Sequence, residues 1–311
     1  MRFLLFISLL IYGMPVYSQP AGSIYLLTAD RVFDGAEMHT GWAVLTNADK
    51  IVAVGDKNSI QVPAGAKRLD FPGCTLLPGL IEGHGHLLLY PYNQKSWDDQ
   101  VLKESDALRV LRAAKQAEAT LRAGFTTFRD LGSEGAGYAD VALRQAIDSG
   151  WYAGPRLLVA GRAIVATGSY GPKGYDSDSK IMLGAEEADG EDAVRVVRSQ
   201  IGQGIDWVKI YADYHWGPNR QSLPTFLPDE LKAMVAAAKS AGRPVAAHAG
   251  TAEGVRRAVL AGVETIEHAD DLTDEDIALM KENKVTYFPT LAATESIRQY
   301  RGWRKGTDLQ P

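Results

Sequence analysis

Cysteine is almost absent from this chain, which has 311 residues and a single cysteine, Cys74. One cysteine excludes an internal disulfide framework and any zinc cluster built on several thiolates. Metal chemistry, if the protein performs any, must therefore use histidine, carboxylate or modified lysine side chains. We interpret Cys74 itself as a small buried hydrophobic residue.

An excess of positive charge is also lacking, since 33 lysines and arginines face 38 acidic residues, for a net charge of −5. No basic surface is expected, which argues against a nucleic-acid partner. The glycine-rich stretch 132–137 lacks the Lys and Ser/Thr of a phosphate-binding loop, which argues against nucleotide binding. With 46% hydrophobic and 23% charged residues, the composition is that of a globular protein.

An apolar segment occurs at the very start of the chain. Arg2 gives a positively charged start and precedes the apolar run 3–11. Ser18 is a small residue of the kind found directly before a cleavage site, which here would lie before Gln19. Residues 1–18 therefore predict a signal peptide. The run is too short to span a membrane, and a buried N-terminal strand is the alternative interpretation. We expect an exported protein, periplasmic or secreted, with no membrane association after cleavage.

Residues 19–77 predict a small N-terminal β-sandwich unit. The apolar segments 24–27, 42–45 and 51–54 are partly β-branched, and turn residues separate them. After Pro78 the pattern changes, and helical segments that end in glycine precede apolar strands. Strands alternating with helices indicate a parallel sheet covered by helices.

Seven strands begin after Pro78, at about residues 80, 125, 156, 205, 244, 265 and 285. This number predicts a (β/α)8 TIM-like barrel over residues 78–311 with about seven of its eight strands present. A seventh helix is expected from about Thr294, and Thr251 and Thr273 are predicted N-caps. One predicted helix has an apolar face with three- and four-residue spacing, formed by Leu108, Leu111, Ala114, Ala117 and Leu121.

Histidines lie at the ends of three predicted strands. His84 and His86 alternate on the first barrel strand, so both rings face one side and can share a metal ion. His248 and His268 end two adjacent strands, and the C-terminal ends of strands carry the chemistry of such barrels. Each histidine by itself is equally explained as an ordinary polar or core residue.

Lys209 lies in the apolar strand 205–212, with Trp207 and Tyr211 on the same face. A buried ammonium group is costly, and burial lowers the pKa of a lysine. Reaction of the free amine with carbon dioxide would turn Lys209 into an anionic ligand that bridges two metals. The alternative is a lysine that extends to the barrel mouth.

These motifs, in this order, resemble the amidohydrolase superfamily, in particular its prolidase-like and imidazolonepropionase-like members, over residues 23–291. The resemblance implies two divalent metal ions, usually Zn²⁺, with His84 and His86 at one ion and His248 and His268 at the other. Carboxylated Lys209 would bridge the ions, and a metal-bridging hydroxide would attack an amide carbonyl. The same ligands also suit manganese, cobalt or iron.

The sequence departs from the pattern of that superfamily at three places. Glu82 stands where an aspartate is usual. Tyr170 occupies the loop in which prolidase-like members carry a histidine. Its hydroxyl is a candidate to contact a substrate carbonyl or oxyanion in place of that histidine, and the alternative is an ordinary loop residue. Members of that superfamily carry an aspartate on the eighth barrel strand that binds a metal ion. No such aspartate is found here, because Asp308, the last aspartate of the sequence, follows no apolar strand. We therefore expect the sequence to end before that strand.

Other polar and aromatic residues lie near the predicted strand ends. Arg129 and Asp130 end the second barrel strand and are candidates to support the site. Tyr211, Tyr214 and His215 are candidates to line a pocket, and a purely structural role is the favoured alternative.

The resulting prediction is a metal-dependent amidohydrolase that cleaves a C–N bond of a small molecule, and a homo-oligomer is possible. N-acyl amino acids, dipeptides and cyclic amides are the expected substrates. One alternative is a truncated, non-catalytic fragment that lacks the aspartate of the eighth strand. Another is an ester, lactone or phosphoester hydrolase that uses the same binuclear site.

Overall fold

A computed structural model of the chain describes residues 23–176 and 178–309, and the chain divides into two compact units, Met1–Pro78 and Gly79–Pro311. The predicted signal peptide, residues 1–18, lies outside the described residues. Within the described part, no helix combines the length and the apolar character that crossing a bilayer requires.

The first unit is a five-stranded sheet. Its central strand pairs in antiparallel fashion with the second and third strands and in parallel with the fifth, and Leu26, Ala43 and Leu45 form its core. The strands are β1 (Ile24–Phe33), β2 (Met38–Thr40), β3 (Trp42–Asn47), β4 (Lys50–Asp56) and β5 (Lys67–Leu76). The predicted strands 24–27, 42–45 and 51–54 are thus confirmed.

Cys74 is exposed, so its interpretation as a buried residue is wrong. The physical reason is the position of β5, which pairs with β1 alone and exposes its residues from Lys67 to Cys74.

The second unit alternates strands with helices. The strands that form its barrel are β6 (Leu80–Gly85), β7 (Phe125–Asp130), β8 (Arg156–Val159), β11 (Val208–Tyr211), β14 (Val245–Ala249), β15 (Thr265–His268) and β16 (Thr286–Phe288). Short strands lie in the connections: β9 (Ile164–Val165), β10 (Glu186–Glu187), β12 (Asp213–Tyr214) and β13 (Leu223–Pro224). The helices are α1 (Trp97–Lys103), α2 (Asp106–Arg122), α3 (Ala139–Asp148), α4 (Gly190–Gly202), α5 (Pro228–Ser240), α6 (Ala252–Ala261), α7 (Asp274–Glu282) and α8 (Leu291–Tyr300).

The seven barrel strands run parallel and in chain order, as in a TIM-type barrel. The carbonyl of Val159 at the end of β8 accepts hydrogen bonds from the amides of Asp206 and Trp207, which joins the first three strands to β11. All seven predicted strands are confirmed.

The two outer strands of the series, β6 and β16, contact each other where the ring of Phe288 on β16 packs against Gly83 on β6. A Cβ atom added to Gly83 would lie 2.2 Å from the Phe288 ring, so the glycine permits this contact. Within residues 79–176 and 178–309 no eighth strand joins them, and Asp308 lies in a turn where it accepts a hydrogen bond from the amide of Arg304.

Helix α2 buries only part of its predicted apolar face, because Ala114 and Ala117 are buried but the first two leucines are not. Leu108 and Leu111 are 49% and 66% exposed, whereas Arg109 and three alanines are buried. The small alanines allow a close approach to the neighbouring elements. Arg109 turns inward because its guanidinium donates to three buried backbone carbonyls, which outweighs the hydrophobicity of the leucines.

The helix starts agree with the sequence at Thr251 and Thr273, whose hydroxyls cap α6 and α7. The start of α8 differs, because it begins at Leu291 rather than near Thr294. Strand β16 ends early: Pro289 has no amide hydrogen to donate, and Thr290 adopts a left-handed conformation at φ 47°.

Candidate active site

Four histidines meet at the C-terminal ends of β6, β14 and β15. The ring centroid of His84 lies 5.4 Å from that of His86 and 4.9 Å from that of His268. The ring centroid of His248 lies 4.7 Å from that of His268. The fold therefore brings together the four histidines that the sequence singles out as metal ligands.

Lys209 lies beside these rings on β11, and it is fully buried rather than extended to the barrel mouth. Its Nζ atom has no hydrogen-bond partner among the described residues. Burial lowers the pKa of Lys209 to about 8, and the nearby Glu267 carboxylate opposes part of that shift. A buried amine without a partner costs free energy in the folded protein, so the position calls for a compensating ligand or modification.

Three of the four histidines have one ring nitrogen already engaged. Nδ1 of His84 lies 2.8 Å from Glu267 Oε2, Nδ1 of His86 lies 3.0 Å from the Gly132 carbonyl, and Nδ1 of His268 lies 2.7 Å from Thr290 Oγ1. When Nδ1 carries the proton and donates it to these oxygens, the lone pair of Nε2 remains for a metal.

Burial and neighbouring positive charge lower the pKa values of His84, His248 and His268, that of His268 to about 3. These three imidazoles are therefore neutral, which is the form that ligates metals.

Within the described ranges, no three His, Cys, Asp or Glu side chains surround one common point as a completed metal shell would. The donor set nevertheless fits a divalent metal, because neutral imidazoles with anchored Nδ1 atoms lie beside a buried amine that lacks a partner.

A buried ion pair supports His84. Glu267 accepts a hydrogen bond from Arg129 Nη2 at 2.9 Å through one oxygen and contacts His84 through the other. The Arg129 guanidinium is packed between Trp207 and Phe288, at 4.5 and 4.3 Å from their ring centroids. The sequence suggests Arg129 as a support of the site, and the structure places Arg129 against Glu267, the residue that contacts His84.

The role of Glu267 was not visible in the sequence. Neighbouring residues of a regular strand face opposite sides, so Glu267 and His268 should not serve one site. The backbone of His268 turns to φ 76°, and both side chains thereby contact His84.

An aromatic cluster adjoins His248. Tyr211 stacks on the His248 ring at 4.5 Å between centroids, and the rings of Tyr170, Tyr211 and Tyr214 lie 4.9–5.7 Å apart. Burial raises the pKa values of Tyr170 and Tyr211 well above their usual range, so both phenols stay protonated. His215 lies at the edge of the cluster and is engaged with Ser222 Oγ.

The Tyr170 hydroxyl is already engaged within the protein. It donates to Glu134 Oε2 at 2.8 Å, and Trp97 Nε1 donates to the same oxygen at 2.9 Å. Glu134 is buried, and the sequence does not single it out, because its glycine-rich surroundings resemble only an incomplete phosphate-binding loop.

Replacing Thr290 by valine tests the anchoring of His268. Thr290→Val preserves the branched shape but removes the hydroxyl 2.7 Å from Nδ1. If His268 binds a metal, we expect metal affinity to fall by about 10- to 100-fold, the effect of removing the hydrogen-bond partner of a metal-bound histidine. Metal titration of the purified variants measures this. Thr286→Val, at an exposed position of β16, is the matched control. Equal affinities of the two variants would show that the hydroxyl has no such role.

Comparison with known families and proteins agrees with this geometry. A model of the amidohydrolase family matches residues 75–301. The chain is 29% identical to ochratoxinase from Aspergillus niger in an alignment 283 positions long, which covers 81% of this chain and 56% of the ochratoxinase. The chain thus spans less than two thirds of the length of that relative.

Solved structures show the same likeness. A Xaa-Pro dipeptidase with methionine bound in its active site superposes with a TM-score of 0.79 at 30% identity, covering 89% of this chain and 69% of the dipeptidase. A prolidase complexed with N-methylphosphonate-L-proline superposes with a TM-score of 0.78 at 29% identity, covering 90% of this chain and 69% of the prolidase.

Proposed function

The chain belongs to the amidohydrolase family, and from this premise we propose that it is a metal-dependent hydrolase of carbon–nitrogen bonds in small molecules. The observation that carries the proposal is Lys209, a buried amine without a hydrogen-bond partner among the described residues, whose charge acts on the rings of His84, His248 and His268. A divalent metal, when bound, would supply an activated water and polarise the carbonyl that is attacked.

The residues that would hold the metals are His84 and His86 for one ion and His248 and His268 for the other. Lys209, carboxylated on Nζ, would bridge the two ions, of which Zn²⁺ is our first choice. The burial of Lys209 favours its uncharged amine, which is the form that reacts with carbon dioxide.

Other residues of the chain would orient these ligands and keep water out. Glu267 holds the His84 ring, and Arg129 neutralises the Glu267 carboxylate on its other side. The buried rings of Tyr170 and Tyr211 exclude water next to His248, which strengthens every electrostatic interaction in the site. Tyr170 reaches a substrate oxygen only if its hydroxyl leaves Glu134.

Dipeptides, N-acyl amino acids and cyclic amides are the proposed substrates. Support comes from relatives named as a Xaa-Pro dipeptidase, a prolidase and an ochratoxinase.

We also propose export to the periplasm or the medium, because residues 1–18 have the pattern of a signal peptide. A mature protein that begins at Gln19, identified by intact mass, would support export, whereas a retained Met1 would contradict it.

The test of the function uses the natural, full-length polypeptide that contains these residues. After removal of metals by a chelator, the protein should hydrolyse none of a panel of dipeptides, N-acyl amino acids and matched esters. Addition of two equivalents of Zn²⁺ should restore cleavage of the amides. Restored cleavage of the esters alone would contradict amide hydrolysis and favour an ester or lactone hydrolase.

A further inference from the structure

Glu134 is a buried carboxylate that the proposed chemistry does not use. It follows β7 in the loop 131–137, is 5% exposed, and takes a left-handed conformation at φ 49°. Such a conformation is strained for a residue with a side chain, and strain of this kind concentrates at functional sites.

Within the described part of the chain no cation forms a close ion pair with the Glu134 carboxylate, although Arg109 and Lys209 attract it at longer range. Arg109 is close, but its three nitrogens donate to the backbone carbonyls of Leu88, Ser133 and Glu134. The ion pairs of the described residues do not include Glu134, although a buried carboxylate is costly without a partner. Glu134 therefore has the capacity to bind a positive group of a ligand.

One oxygen of Glu134 is engaged, and the other lies beside Gly132, as does the ring of His86. Oε2 accepts hydrogen bonds from Tyr170 and Trp97, whereas Oε1 has no partner among the described residues. A Cβ atom added to Gly132 would lie 3.5 Å from Oε1 and 3.6 Å from Cε1 of His86. The glycine thus leaves a notch between the carboxylate and a proposed metal ligand.

Aromatic rings surround the same carboxylate. Trp97 and Tyr170 pack edge to face at 5.6 Å between centroids, and Tyr214 lies 4.9 Å from Tyr170. Trp97 and Tyr170 fix the carboxylate through their N–H and O–H groups, and a buried carboxylate held in this way attracts an ammonium group strongly.

We propose that Glu134 and these aromatic rings bind the free α-ammonium group of a dipeptide, so that the protein selects dipeptides over N-acyl amino acids. This inference rests on the proposed function, whose substrate class it narrows. In a dipeptide the α-nitrogen is two bonds, about 2.5 Å, from the carbonyl carbon that is attacked. Its binding group must therefore border the metal ligands, and Glu134 borders His86.

The test measures binding to the natural full-length, metal-loaded protein. The probes are a phosphinic dipeptide isostere with a free α-ammonium group and the same compound N-acetylated. By titration calorimetry, Glu134→Gln should weaken binding of the free amine by about 10- to 100-fold, as expected for a lost charge-assisted hydrogen bond in a dry site. Binding of the N-acetyl compound should stay within about twofold.

Two further variants separate charge from folding. Glu134→Asp keeps the carboxylate and tolerates the left-handed backbone, so the preference for the free amine should persist in part. Glu118→Gln, on the exposed face of α2, removes one charge far from these contacts and should change neither binding constant.

Equal weakening of both probes by Glu134→Gln, or no weakening of either, would overturn the proposal and leave Glu134 a structural acceptor for Tyr170 and Trp97. Failure to bind either probe would also overturn it. Failure of the proposed function is a separate outcome: no hydrolysis of dipeptides, while the two binding constants still differ as expected.

Discussion

Replacing Lys209 by methionine should reduce amide hydrolysis by roughly 1000-fold, equivalent to about 4 kcal/mol of transition-state free energy. Methionine fills the buried position on β11 but cannot be carboxylated, so the proposed bridge between the two metals is lost. Metal content should fall in parallel with activity, and atomic absorption of the purified variant measures it. Thermal unfolding of the metal-free variant should be unchanged or shifted upward, because an amine with no partner has been removed from the interior.

The matched control for this variant is Lys232→Met, which removes a lysine from the exposed side of α5. We expect full metal content and full activity from this variant, since its side chain does not reach the barrel interior. If Lys209→Met also kept both, Lys209 would be a tolerated buried lysine and not a metal bridge.

Replacing Arg109 by alanine should lower the free energy of unfolding by about 3–5 kcal/mol, the largest stability effect that we expect from one substitution in this chain. The guanidinium donates at 2.8–3.1 Å to the backbone carbonyls of Leu88, Ser133 and Glu134, all of which are buried. Each buried carbonyl that is left without a donor costs about 1–3 kcal/mol, reduced where the loop relaxes. Urea unfolding followed by tryptophan fluorescence measures the change.

Two variants accompany this measurement. Arg109→Lys should recover little stability, because one ammonium group cannot reach three carbonyls that a planar guanidinium spans. Arg122→Ala, at the exposed end of the same helix, should cost less than about 1 kcal/mol, as is usual for a surface ion pair. If Arg109→Ala also lowered the free energy of unfolding by less than about 1 kcal/mol, the loops after β6 and β7 would be held by other contacts.

Most of the barrel was predictable because its signals are local. Apolar strands that follow helix-ending glycines predict parallel strands, and all seven lie where the pattern indicates. Threonine caps such as Thr251 are equally local, because the hydroxyl bonds an amide three residues away. The predicted ligands also follow from local position, since the ends of parallel strands meet at one edge of the barrel.

The buried face of α2 was only partly predictable from spacing, which placed Ala114 and Ala117 correctly. Leucines at helical intervals indicate a core face, yet Leu108 and Leu111 are exposed and Arg109 is buried. The deciding contacts are carbonyls that lie 21 to 25 residues away in sequence. No pattern within the helix reveals how many unsatisfied acceptors the neighbouring loops present.

By itself, the sequence determined the parallel strand order and the histidines at the strand ends, because both depend on hydrophobic pattern and strand alternation. The sequence left Lys209 either buried or extended to the barrel mouth, and the tertiary structure decided for burial. Only the tertiary structure decided which residues support the site. Glu267 contacts His84 across 183 residues, and Glu134 meets Tyr170 across 36. Such contacts depend on loop conformation and on residues with a left-handed backbone, such as His268. A left-handed conformation costs free energy in a residue with a side chain, and the packing of the surrounding barrel compensates for that cost.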